Sequence, residues 1–231
     1  VAQRGVVHIT VRTPLEVGWR KGIAGMRSQL IPGMFLWGMA GLTWWGYFHL
    51  KALTLALDSV GRTKEAWGLG FAALSVGVSG GLFPTTLMAL NRQCRKQPKE
   101  GVAKVGPEPP TIHRELYLIT CNTVMFAGYG AWIDVFYQLQ AFWFGDDARL
   151  STIATKVLVD QLIFTPFLHV PFIQLALLAI KLGSARGLLD QIRDRAMCSY
   201  RGLVGDWLFP ALLPTWLIWS PTVCVVYSLP G

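Results

Sequence analysis

Hydrophobic positions fall into five long runs, at about residues 31–57, 67–90, 116–144, 153–180 and 207–229, parted by short polar stretches. Each run reaches the ~20 apolar residues that a helix needs to cross a bilayer. The runs are apolar nearly all round, whereas a helix of a soluble bundle carries one apolar stripe and a polar face. The polar links are "DSVGRTKEA", "NRQCRKQPKEGVAKVGPEPPTIHRE", "GDDARLST" and "GSARGLLDQIRDRAMCSYRGLVGD". Pro-Glu-Pro-Pro in the second link cannot be helical and reads as an extended loop. The middle of the fourth reads as an interfacial helix. The pattern predicts an all-α, polytopic transmembrane helix bundle of five spans, forming one domain over residues 1–231.

Composition supports a membrane setting. Of 231 residues, 52% are hydrophobic and 15% charged, with a mean hydropathy of +0.41. That is too little charge to cover a soluble domain of this length. The ten Trp and twelve Phe suit the lipid–water boundary. The net charge of +8 does not mark a nucleic-acid binder, because the basic residues are scattered and sit on no base-reading motif. Their placement follows topology instead. The N-terminal stretch, the second link and the fourth link hold sixteen Lys and Arg, against four (Arg62, Lys64, Arg149, Lys156) on the other side. This positive-inside bias puts the N-terminus in the cytoplasm or its organellar equivalent. Expected partners are lipids with anionic headgroups and other membrane subunits or further copies of the chain, with no nucleic acid. The expected setting is a bacterial inner membrane or an organellar membrane, mitochondrial inner or peroxisomal.

Polar residues inside the runs are the candidate chemistry. An aspartate within a span costs on the order of 3 kcal/mol, so Asp160 should face protein or water. Lys156 lies one turn before Asp160 and is placed to pair with it. Pro166 removes a backbone donor and leaves a carbonyl free near the same level; Asp160 and Gln161 can supply polar partners there. In "GYGAWIDVFYQLQ", Asp134 and Gln138 are one turn apart on one face, and Gly128 and Gly130 admit a close helix. Hydrogen bonds between the two acid–amide pairs are a natural way to tolerate both. His49 and His169 are weak candidates for a haem or pigment metal. The four cysteines show no metal-ligand spacing. No Ser–His–Asp set and no phosphate-binding loop is visible, and neither catalysis nor a cofactor is expected.

"KVLVDQLIFTP" resembles the Lys-x-x-x-Asp-Gln-x-x-x-x-Pro signature of the Mpv-seventeen/peroxisomal-membrane-protein-twenty-two family. Lys156, Asp160, Gln161 and Pro166 fall on it without a gap. Asp134 and Gln138 match the acid-to-amide spacing of an earlier family pattern, with Ile133 where the family has glycine. "PTWLIWSPTVCVVYSLP" is similar to the family's late Trp–Pro span, through Trp216, Trp219, Pro221 and Pro230. The resemblance covers roughly residues 115–230 and implies a small organellar or bacterial membrane protein. It also implies a channel role, lined by Asp134, Gln138, Lys156, Asp160 and Gln161, and a further helix beyond the last run. The alternative is a non-catalytic accessory subunit of a larger membrane complex, a pigment- or haem-containing one among the options. In that case these polar residues only hold the bundle together.

Overall fold

The computed structural model describes residues 13–94, 111–147, 149–194 and 201–228. Among them every regular element is helical. Helix α1 (Pro14–His49) is followed by α2 (Lys51–Trp67). Helix α3 (Leu69–Val76) passes through a wider π-type turn, Gly77–Leu82, into α4 (Phe83–Cys94). Helix α5 spans Ile112–Phe144. Helix α6 (Leu150–Val159) passes through a π segment, Asp160–His169, into α7 (Val170–Leu182). Helix α8 (Ala185–Asp194) precedes a π segment, Arg201–Leu208, which leads into α9 (Phe209–Ser228).

Four of the resulting rods are long and apolar enough to cross a membrane: Leu69–Arg92, Ile112–Phe144, Leu150–Leu182 and Gly205–Ser228. The chain is an integral membrane protein built as a helical bundle. The first run departs from expectation, because residues 31–57 are not one helix. The backbone breaks at Leu50, which is extended (φ −113°, ψ 100°). Helix α2 opens on Lys51 and carries Asp58, Arg62, Lys64 and Glu65, charges that need water or a partner, so the chain turns where this polar helix starts. The bend is tied by Thr54, whose hydroxyl donates to the Tyr47 carbonyl, and by Tyr47, whose hydroxyl donates to Asp58 at 3.2 Å.

Helix packing relies on small residues where backbones meet. Helices α1 and α9 run parallel. A Cβ on Gly22 would stand 2.5 Å from the Leu213 side chain and 2.8 Å from the Phe209 carbonyl oxygen. Higher up, the Trp37 indole donates to the Ile218 carbonyl at 3.2 Å, while Lys21 and Asp206 pair near the start. The α3–α4 rod packs antiparallel on α5. A Cβ on Gly130 would meet the Ala72 carbonyl oxygen at 2.5 Å, and one on Gly81 would meet Thr123 Cα at 2.6 Å. Nothing lies within 4 Å of a Cβ on Gly128. The close approach expected at both glycines is therefore made at Gly130 alone, since two residues along a helix point to nearly opposite sides. At the far end of this pair, Arg92 reaches the buried Glu115 carboxylate at 3.5 Å.

Candidate functional site: a cavity within the bundle

The polar centre starts from a register change. In the π segment the backbone bonds skip five residues rather than four, as Val170 N–H donates to Thr165 O. Counted the same way, Pro166 faces the carbonyl of Gln161 but has no N–H to offer it. The Trp216 indole supplies the missing donor from α9, at 2.8 Å from Gln161 O. One turn later on α9, Ser220 Oγ donates to Gln161 Oε1 at 3.1 Å. Helix α9 thus holds Gln161 by both its backbone and its side chain. This is why Gln161, Pro166 and Trp216 belong together: the proline opens a backbone acceptor on a buried residue, and an unsatisfied carbonyl there is costly.

Asp160 points elsewhere. It is 4% exposed and accepts from the Thr165 hydroxyl at 3.3 Å, with the Tyr227 hydroxyl of α9 as a second polar neighbour. With Gln161, Thr165 and His169 it lines a partly open cavity of about 680 Å³. Tyr129, Ile133 and Tyr137 bring α5 to this cavity, one turn apart on one helix face. Ser79 and Gly80 of the first π-type turn form another wall, and Thr215, Trp219 and Val223 of α9 close the side opposite. Ser79 and Thr215 turn their hydroxyls onto carbonyls of their own helices, Ser75 and Ala211. The Tyr129 hydroxyl contacts His169 Nδ1. Gln161 Nε2 is buried without a partner.

The other expected residues separate from this centre. Lys156 does not pair with Asp160. It is buried, its Nζ lies 3.4 Å from Asp146 Oδ1, and it stands over the Tyr227 ring at 5.5 Å. Spacing along the helix made Asp160 a neighbour, but a helical side chain leans toward the N-terminus of its helix, so the lysine reaches the α5–α6 turn instead. In that turn a hydrogen bond from Thr152 holds the Asp147 carboxyl below its usual range. Asp134 and Gln138 do bond, Gln138 Nε2 to Asp134 Oδ2 at 2.7 Å, and Lys64 of α2 completes the group at 3.3 Å. No hydrogen bond joins this group to Asp160 or Gln161 among the described residues, because Asp134 is occupied by α2. Asp134 and Gln138 do not line the cavity. His49 is exposed at the end of α1, its ring against Trp45. Pro221 lies within α9. Pro230 is outside the described residues.

Sequence reasoning missed the tyrosines of α5 and the cluster of Gln140, Lys156 and Tyr227. The Tyr227 hydroxyl donates to Gln140 Oε1 at 2.6 Å. The repeat Tyr129, Ile133, Tyr137 at one-turn spacing was the available signal for the first of these. No family model, no curated protein and no solved structure matches the chain.

Proposed function

We propose that the protein is a channel- or carrier-type membrane protein, not an enzyme, and that its solute passes through the cavity beside Asp160. One observation carries the reading. Asp134, away from the cavity, is matched by a cation on a neighbouring helix, Lys64. Asp160 has hydroxyls beside it and no cation among the described residues, and it borders about 680 Å³ of open space. An intramembrane acid facing a cavity is the common mark of a solute or ion path.

The same reading treats the chain as a divergent member of the Mpv-seventeen/peroxisomal-membrane-protein-twenty-two family. Its support is that Gln161, Pro166 and Trp216, three of the residues that carry the resemblance, meet at one junction, with Asp160 beside it on the cavity, while Lys156 lies apart. The reading also takes α1 as a fifth span. Ser28 to Leu50 holds no Asp, Glu, Lys or Arg, and its four glycines and three tryptophans dilute its hydropathy. It lies beside α9, and Lys21 with Asp206 marks the basic side. The membrane is then a bacterial inner or organellar one, with basic loops on anionic lipid.

Reconstitution into liposomes tests the reading. Solute-driven swelling or conductance should appear with the wild-type chain and change in selectivity with Asp160→Asn. Liposomes that stay sealed to every solute would refute it. A second reading, as an accessory subunit, draws on α1. Beyond Trp37 its Gly38 and Gly41 have nothing within 4 Å of a Cβ, and Leu42, Trp44, Trp45 and Phe48 are exposed. Small residues bare of any neighbour fit a partner helix. The particle extracted in mild detergent decides this: other proteins at fixed stoichiometry would favour the subunit, and the chain alone or in copies of itself would favour the channel.

A further inference from the structure

We propose that the cavity takes an organic cation, an ammonium group carried on an apolar or aromatic body, with Asp160 as its counter-ion. The inference rests on the cavity being a solute path and names the class of solute.

Asp160 is the one carboxylate among the described residues that line the cavity. The nearest lysine along its helix, Lys156, is directed to Asp146 and does not line it. His169 is engaged at Nδ1 by the Tyr129 hydroxyl. The cavity therefore holds an acid with no lysine or arginine among its described lining residues. An ionised carboxylate among apolar walls is costly until a cation joins it.

The walls indicate which kind of cation. A bare metal ion needs about six or more oxygen ligands from its surroundings. Here a single carboxylate stands on the described lining, its nearest polar companions are Thr165 and Gln161, and the hydroxyls of Ser79 and Thr215 are turned onto their own helices. Most of the remaining lining is apolar, with Phe126, Phe164, Trp219 and aliphatic side chains beside the rings of Tyr129 and Tyr137. Aromatic faces attract an ammonium and accept the apolar body behind it. About 680 Å³ is ample for a body of that kind.

Gln161 supplies the second contact. Its Nε2 is buried and unpartnered while Oε1 accepts from Ser220. Turned over about its amide, Nε2 would donate to Ser220 Oγ and Oε1 would be left as an acceptor for an ammonium N–H. Asp160 and Gln161 both line the cavity, so an ammonium seated between them can meet both.

The test uses the purified full chain and three probes of similar shape: phenethylammonium, 2-phenylethanol and phenylacetate. Binding is followed by tryptophan fluorescence, since Trp219 lines the cavity. The cation should bind best. Asp160→Asn should weaken it about thirtyfold or more, the loss expected when one member of a buried charge pair is removed. Binding of 2-phenylethanol should stay unchanged in that variant, which also shows that the cavity still forms. Asp160→Glu, which keeps the charge, should retain the preference. Equal binding of the alcohol or the anion, or equal cation binding by Asp160→Asn, would overturn the proposal. Liposome flux separates this from the broader reading. Flux of neutral solutes without cation preference leaves the channel standing and removes the organic cation. Cation binding without any flux removes the channel and leaves the site.

Discussion

Trp216→Phe offers a sharp test of the polar centre. The substitution keeps an aromatic ring in α9 but removes the N–H that satisfies Gln161 O at 2.8 Å. That carbonyl lies on a buried residue and is denied its own backbone donor by Pro166. An orphaned buried carbonyl costs about 1–3 kcal/mol, and interhelical hydrogen bonds in membrane proteins average about 0.6 with a ceiling near ~1.7 kcal/mol. Taking the overlap, Trp216→Phe should destabilise by about 1–2 kcal/mol, part of it lost packing. The double-mutant cycle with Pro166→Ala isolates the hydrogen bond. Alanine returns an N–H to position 166, so Gln161 O no longer depends on the indole. The packing loss is common to both backgrounds and cancels. A coupling of about 1 kcal/mol is expected, with Trp216→Phe costing less in the Pro166→Ala background than in the wild-type chain. Equilibrium unfolding in mixed detergent–dodecyl sulfate micelles reads all four chains. Strict additivity would refute the claim that the tryptophan answers the proline.

Two further expectations concern packing and charge. Gly81→Ala should cost about 1–3 kcal/mol, because its Cβ would sit 2.6 Å from the Thr123 backbone, whereas Gly128→Ala, with open space around it, should be neutral or stabilising; micelle unfolding of the pair checks both. Lys156→Met should leave stability within about 1 kcal/mol of wild type or raise it, since desolvation of the buried ammonium offsets its attraction to the exposed Asp146; a loss well beyond that by the same assay would show a stronger tie than the geometry gives.

The long spans could be read from the sequence because a bilayer demands an unbroken apolar stretch, and Trp67–Leu90 or Trp207–Leu229 contains little else. The break at Leu50 could not. Between His49 and Leu57 the run carries one charge, Lys51, and most of the charges that make α2 polar come later, from Asp58 to Glu65. In the site, Asp160, Gln161 and Pro166 were visible as residues out of place in an apolar run, and Trp216 only through the family resemblance. Their junction was not, because it depends on a π register that moves the orphaned carbonyl from Leu162 to Gln161, and hydrophobic periodicity does not report such a shift. The Lys156–Asp160 pairing failed for a related reason: spacing shows which side chains share a face, but not which way each leans. The capture of Asp134 by Lys64 depends on how α2 folds back, and so on the unforeseen bend.

The central claim is that Asp160 borders space reached by water and cations, and cysteine accessibility tests it most directly. Thr215 lines the cavity and turns its hydroxyl to its own helix, so Thr215→Cys, in a chain whose four native cysteines are replaced by serine, disturbs little. A cationic methanethiosulfonate reagent should modify this cysteine from the aqueous phase faster than an anionic one, and Asp160→Asn should erase the difference. A cysteine that neither reagent reaches, while one placed at an exposed loop position reacts, would show a dry cavity and leave Asp160 as a residue that only holds the bundle together.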